Sequence, residues 1–188
     1  MKQTFLTIAI IISVSLTISA QQKLMADAGK TKLQWLGEKV TGEHTGTINL
    51  KEGWLNWKDN RILSGEFEID MTTIRDTDAS ERLEGHLKSD DFFGVEKFPT
   101  SKIVITGSES FEKGTAVVKG TLSIKGVTHP IEFKATSQKK DDGTWFYANI
   151  VVDRSKYNIR YGSGSFFDNL GDKVIYDEFK LKVNLLVI

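Results

Sequence analysis

Cysteine is absent from the chain. That excludes disulfides, thiol nucleophiles, thiolate metal sites and lipid attachment at a cysteine behind a leader segment. Proline is scarce, with two residues, and 39% apolar against 27% charged residues is the balance of a folded chain rather than a disordered one. No sign of charge dominates: 25 basic residues face 25 acidic ones, which excludes the strongly basic face that phosphate backbones require, so nucleic acid is not an expected partner. No apolar run reaches the roughly 20 residues that cross a bilayer. The longest, Phe5 to Ile18, spans 14.

That run has a different meaning. Lys2 is the only charge among the first twenty residues, the apolar stretch follows, and Ser19 and Ala20 precede a polar change at Gln21, Gln22 and Lys23. This is the order of a secretory signal peptide, and it predicts residues 1–20 as the signal, cleaved after Ala20, with no stable membrane span afterwards. An uncleaved anchor is the alternative. An exported chain without disulfides must rest on its core, and a domain of about 150 residues can, because it buries close to 70% of its unfolded surface. Without Lys2 the acids lead by one, which sets no electrostatic preference for partners.

From Lys30 onward the dominant period is two. Leu63, Gly65, Phe67, Ile69 and Met71 alternate with Ser64, Glu66, Glu68 and Asp70, the pattern of a strand with one buried and one wet face. Ile103 and Ile105, Ile131 to Ala135, and Phe179 to Leu185 alternate in the same way. Further strands are predicted around Leu33–Leu36, Thr45–Leu50, Gly53–Trp57, Ala116–Ile124 and Trp145–Val152. Asp59-Asn60, Lys113-Gly114 and Asp141-Asp142-Gly143 supply turns between them. Eight or nine short strands with hairpin connections favour an antiparallel barrel or sandwich. One segment differs: Thr77 to Ser89 has helix formers, Leu83 and Leu87 on one face, and Thr77 or Asp78 as cap, predicting one short helix. No repeat, linker or low-complexity tract divides the chain, so one domain is expected.

The 11 Phe, 4 Trp and 4 Tyr include the neighbours Phe92-Phe93, Trp145-Phe146 and Phe166-Phe167. Neighbours in a strand point to opposite faces. Eight-stranded barrels lie at the size where side chains just fill the interior or leave room for one small ligand. Composition alone leaves both open.

Tests for reaction chemistry find no set above background, and no catalytic residue, metal site or cofactor is expected. His44, His86 and His129 are scattered, and none has a ligand at i+2 or i+4, where His–carboxylate zinc sites usually cluster. Asp76-x-Asp78 and Asp90-Asp91 lack the rest of a calcium loop, so cap and turn roles explain them better. Acid pairs on an alternating scaffold occur by chance, and nothing singles out two of the 25 for glycoside hydrolysis. Neither Ser123 nor His129 sits in a nucleophile elbow. Gly162-Ser163-Gly164-Ser165 has no following helix and reads as a loop or hairpin end rather than a phosphate cradle.

Two stretches carry a resemblance. His86-Leu87-Lys88-Ser89-Asp90-Asp91-Phe92-Phe93-Gly94-Val95-Glu96-Lys97-Phe98-Pro99-Thr100 and Gly120-Thr121-Leu122-Ser123-Ile124-Lys125-Gly126-Val127-Thr128-His129-Pro130-Ile131 resemble the signature segments of the YceI-like family, also called polyisoprenoid-binding and lipocalin-like. Their spacing and the later Asp153-Arg154-Ser155-Lys156-Tyr157 stretch are similar as well. The resemblance implies a fold class: all-β, an antiparallel eight-stranded lipocalin-like barrel with one short helix, here over residues 30–188. It also implies a periplasmic or secreted location and a lipophilic small molecule, an isoprenoid or fatty-acyl amphiphile, inside the barrel.

Strand parity then nominates a lining of Phe67, Ile69, Ile103, Ile105, Val118 and Leu122, continued by Phe133, Phe179 and Leu181. Phe92, Phe93 and Phe98 are candidates for the mouth. His86 and Arg154 are candidates for a polar head group, with a structural hydrogen bond or a surface salt bridge as the alternative for each. The expected function is an exported binding protein for transport, storage or stress protection. A packed barrel acting as an interaction module, and less favoured an enzyme on a lipophilic substrate, are the alternatives. Ligand identity and oligomeric state stay open, a homodimer among the options.

Overall fold

A computed structural model describes residues 20–188; the expected signal segment, apart from Ala20, lies outside the described residues. Nine strands and one α-helix follow in order: β1 (Gln22–Met25), β2 (Lys32–Lys39), β3 (Gly42–Lys58), β4 (Arg61–Asp76), α1 (Glu81–Lys88), β5 (Thr100–Ser108), β6 (Thr115–Ile124), β7 (Val127–Lys140), β8 (Gly143–Asp153) and β9 (Ile175–Val187). All pairings are antiparallel, and β3 pairs with β4 on one edge while β2 pairs with β9, which closes an eight-stranded barrel. β1 lies ahead of the first predicted strand. It takes the far half of the β3 edge that β2 leaves free and is tied to the end of β9 by reciprocal Met25–Ile188 hydrogen bonds of 2.8 and 2.9 Å. β1 and β2 thus act as one interrupted stave. Closure leaves no long edge to aggregate.

The hairpins follow from backbone chemistry. Asp59 and Asn60 both have left-handed φ (49° and 57°), as do Lys125 and Gly126 (50° and 76°), the two-residue geometry that matches strand twist. The helix begins at Ser80, whose hydroxyl accepts from the Leu83 amide, rather than at Thr77 or Asp78. Ala79 (φ 55°) turns the chain just before it and leaves Ser80 in the cap position. No helix among the described residues is long and apolar enough to cross a membrane.

Irregularities in the ladder decide which residues face inward. The segments Thr45–Leu50 and Gly53–Trp57 are one strand, β3, with a bulge between Leu50 and Glu52. Inward positions are Ile48 and Leu50 before it and Gly53 and Leu55 after it. A bulge changes the side-chain parity of everything beyond it. On β4 the slip near Asn56/Trp57 turns Ile62 inward and leaves Leu63 41% exposed, against the parity expected for Leu63. A second slip at Met71–Ile74 is held by Asp70, which accepts from the Thr72 amide (3.0 Å) and hydroxyl (2.6 Å), and by the Thr73 hydroxyl on the Asp70 carbonyl. It brings Ile74 and Asp76 to buried positions.

Candidate functional site

The two ends of the barrel are closed differently. At the end of the β3–β4 and β7–β8 hairpins, Trp57, Phe111 and Phe146 form a mutual cluster with ring centroids 5.5–5.6 Å apart. Tilted and edge-on aromatic contacts of this kind seal a surface with three rigid rings. At the opposite end, α1 and the turn after it lie over the opening. The motif from His86 to Thr100 builds that cap: Phe93 N–H donates to the Leu87 carbonyl (3.1 Å), Gly94 N–H to Ser89 (2.8 Å) and Val95 N–H to Lys88 (2.9 Å). The turn places Phe92 and Phe93 together, both buried, rings 5.0 Å apart. They are not in a strand, so the opposite-face expectation does not apply to them. Trp145 and Phe146 are in β8 and do split: Phe146 faces in, and Trp145 stacks outside on Tyr147.

Between these ends the interior is not filled. A lower lobe of about 110 Å³ and an upper lobe of about 120 Å³ share Ile69, Leu122, Val152 and Leu181 as walls, so they adjoin along the barrel interior. Phe67, Ile69, Ile103 and Ile105, with Val118, Leu122, Phe133 and Leu181, border the lower lobe. Phe179, Phe92, Phe93 and Arg154 border the upper one. Ile69, Ile103, Phe133, Phe179, Leu181 and Val183 face the interior yet are only half-buried, because they border open space instead of one another. Phe67 has a special seat: it pairs directly with Gly53 across the β3–β4 ladder, and its ring lies where a Gly53 Cβ would project.

Two nominated residues lie elsewhere. Phe98 borders neither lobe; it is half-buried against Gly126 of the β6–β7 turn and braces the cap from outside. His86 also borders neither, and its ring packs against Tyr161 (4.3 Å) and Phe92 (5.6 Å). Among the wall residues that parity missed are Leu55, which follows the β3 bulge, and Phe146 and Ile150 on β8, where apolar residues occupy both faces and blur the alternation.

Arg154 reaches the upper lobe but is already largely occupied. A single turn, Arg154–Tyr157, follows β8, capped by the Asp153 carboxylate on the Ser155 amide (3.0 Å), and it swings Arg154 inward to 1% exposure. Nε donates to the Tyr176 carbonyl (3.1 Å), Nη1 to Ile159 and Tyr161 (2.9 Å each) and Nη2 to Ile175 (2.9 Å), with Asp177 3.5 Å away. Its fork ties the 158–162 loop to the start of β9. Burial pulls its pKa below the ordinary value, and Asp177 and Asp153 oppose that shift. The structural alternative for Arg154 therefore accounts for four of its five N–H donors. The head-group role keeps one unbonded N–H, on Nη2 beside Asp177, while the charge, 5.5 Å from the Phe92 ring, still sits at the upper wall.

A closed antiparallel barrel enclosing two adjoining apolar lobes defines the class. The chain belongs to the YceI-like family: the YceI-like domain matches residues 24–187. A UPF0312 protein of Pseudomonas putida (strain W619) is 27% identical, covering 97% of this chain and all of its own length. Two solved structures share the fold: BcnA of Burkholderia cenocepacia (TM-score 0.67, 18% identity, 87% of this chain and 99% of that one) and a polyisoprenoid binding domain from Saccharophagus degradans implicated in plant cell wall breakdown (0.66, 14%, 87% and 97%).

Proposed function

We propose that the chain is an exported binding protein that holds one long apolar molecule, of isoprenoid or fatty-acyl type, along the barrel axis. The observation that carries this reading is the pair of adjoining lobes inside the barrel, walled almost wholly by aliphatic and aromatic side chains from the aromatic cluster to the helix-side cap. Each methylene withdrawn from water contributes roughly 0.8 kcal/mol, so an extended chain gains more from such a space than a compact polar ligand does. The Saccharophagus domain, a polyisoprenoid binder with the same fold, supports the ligand class. Export rests on the first twenty residues and on the periplasmic location general to YceI-like proteins.

Native mass spectrometry on protein purified from its own host tests both parts together. The expected result is a polypeptide beginning at or near Gln21 that retains a lipophilic small molecule, released on unfolding. A clean ligand-free mass, with no uptake of a prenyl or fatty-acyl probe, favours the packed interaction module and refutes the carrier reading. A chain retaining Met1 refutes cleavage.

A further inference from the structure

His44, Asp76 and Asp78 come together at the helix-side rim of the barrel, with one ligand atom from each lying within 4.8 Å of the others. The sequence separates His44 from the two acids by a hairpin, so spacing alone gives no sign of a site there. The fold supplies the partners: β3 and β4 pair antiparallel with Gly46 opposite Asp76, and the Met71–Ile74 slip turns Asp76 toward the interior instead of solvent.

Two of the three groups carry a buried polar atom that is unspent. The Asp76 side chain is 1% exposed; Oδ2 accepts from the Ser80 amide (3.2 Å), but Oδ1 has no protein donor. His44 Nδ1 is likewise buried and unpartnered, and it faces that same oxygen at 3.9 Å. A direct hydrogen bond needs roughly 2.7–3.2 Å, and a buried carboxylate oxygen without a partner calls for an explanation. Bonds of about 2.0–2.2 Å to one tetrahedral ion place two ligand atoms roughly 3.4 Å apart, so a shift of about half an ångström converts the pair into a metal chelate.

The backbone around these groups is fixed on both sides. The Asp76 amide donates to Glu84 Oε1 (3.0 Å), and Glu84 also pairs with Arg75 (3.1 Å). The Thr77 amide donates to the Thr45 carbonyl (2.8 Å), and the two threonine hydroxyls are 3.1 Å apart. Gly37, opposite His44 on β2, has nothing within 4 Å of where a Cβ would sit, which leaves room beside the imidazole.

We propose that His44, Asp76 and Asp78 form a binding site for a divalent transition-metal ion of the zinc class, independent of what the barrel interior holds. One imidazole and two carboxylates balance the charge of such an ion, and the nitrogen ligand selects against calcium, which takes oxygen ligands only. Exposed Asp78 leaves a coordination position open to water. The ion clips β3 to the β4–α1 connection, the segment that carries the barrel cap.

The test is calorimetric titration of untagged, chelator-treated full-length mature protein with zinc chloride, followed by X-ray absorption at the zinc edge. One zinc per chain in a nitrogen–oxygen shell is expected. His44→Ala and Asp78→Asn, both at the rim, each weaken binding roughly tenfold or more, and His129→Ala leaves it unchanged. Asp76→Asn joins them if it folds; the other two variants suffice if it does not. No uptake by the wild type, uptake unaffected by His44→Ala and Asp78→Asn, or an NMR signature of a plain imidazolium–carboxylate pair that persists in saturating zinc each overturns the proposal.

Discussion

Replacing Phe133 by alanine separates an open barrel from a packed one. In a filled core the loss of a phenyl ring costs about 3–5 kcal/mol, because transfer free energy and a new cavity add together. Phe133 pairs with Val118 on the lower wall and is only half-buried, its ring bordering space that already exists. Full burial of such a side chain contributes about 1.5–3 kcal/mol, so half of it, with little added cavity, predicts a loss of about 0.8–1.5 kcal/mol. Phe146 provides the internal standard. It is 4% exposed, sits between Trp57 and Phe111, and its replacement by alanine carries the full cost of about 3–5 kcal/mol. The assay is urea denaturation of protein refolded free of any co-purified ligand, paired with titration of a fluorescent fatty-acyl probe. Phe133→Ala should weaken the probe, whereas Phe98→Ala, outside both lobes, should not. Equal stability losses for Phe133→Ala and Phe146→Ala, with no probe binding by the wild type, would refute the reasoning.

Arg154→Met removes the donors from four carbonyls and strands Asp177, so a loss of about 3–5 kcal/mol is expected in the same denaturation assay, and a loss under about 1 kcal/mol would show that the fork is dispensable. Glu68 accepts from Lys51 Nζ at 2.8 Å, which lowers its pKa. Its unfolded-state value is about 4.3, so the pair contributes its small stabilisation above that pH and loses it as pH falls through the lower folded value. The stability difference between wild type and Glu68→Gln should therefore be flat from neutral pH down to that point and then shrink; a difference that grows in acid has the wrong sign.

Strand existence, antiparallel pairing and the presence of one helix follow from local chemistry: alternating burial in segments such as Phe179–Leu185, turn residues such as Asp59-Asn60, and a short run of helix formers. The motif at His86–Thr100 identified the family, and its hydrogen bonds explain why it reads as a unit, since it forms the cap. Register was not local. Leu63 looked inward because its neighbours alternate, but a ladder irregularity set by the partner strand reversed it, and the same kind of slip brought Leu55 and Asp76 inside. The partners of Phe98, His86 and Arg154 were equally invisible, because each depends on a turn or loop distant in the chain: Gly126, Tyr161 and the start of β9. Composition could not decide whether the barrel is full. Interior volume depends on closure, shear and which face each bulge presents, and those quantities belong to the assembled sheet, whereas a sequence dictates only the periodicity of its strands.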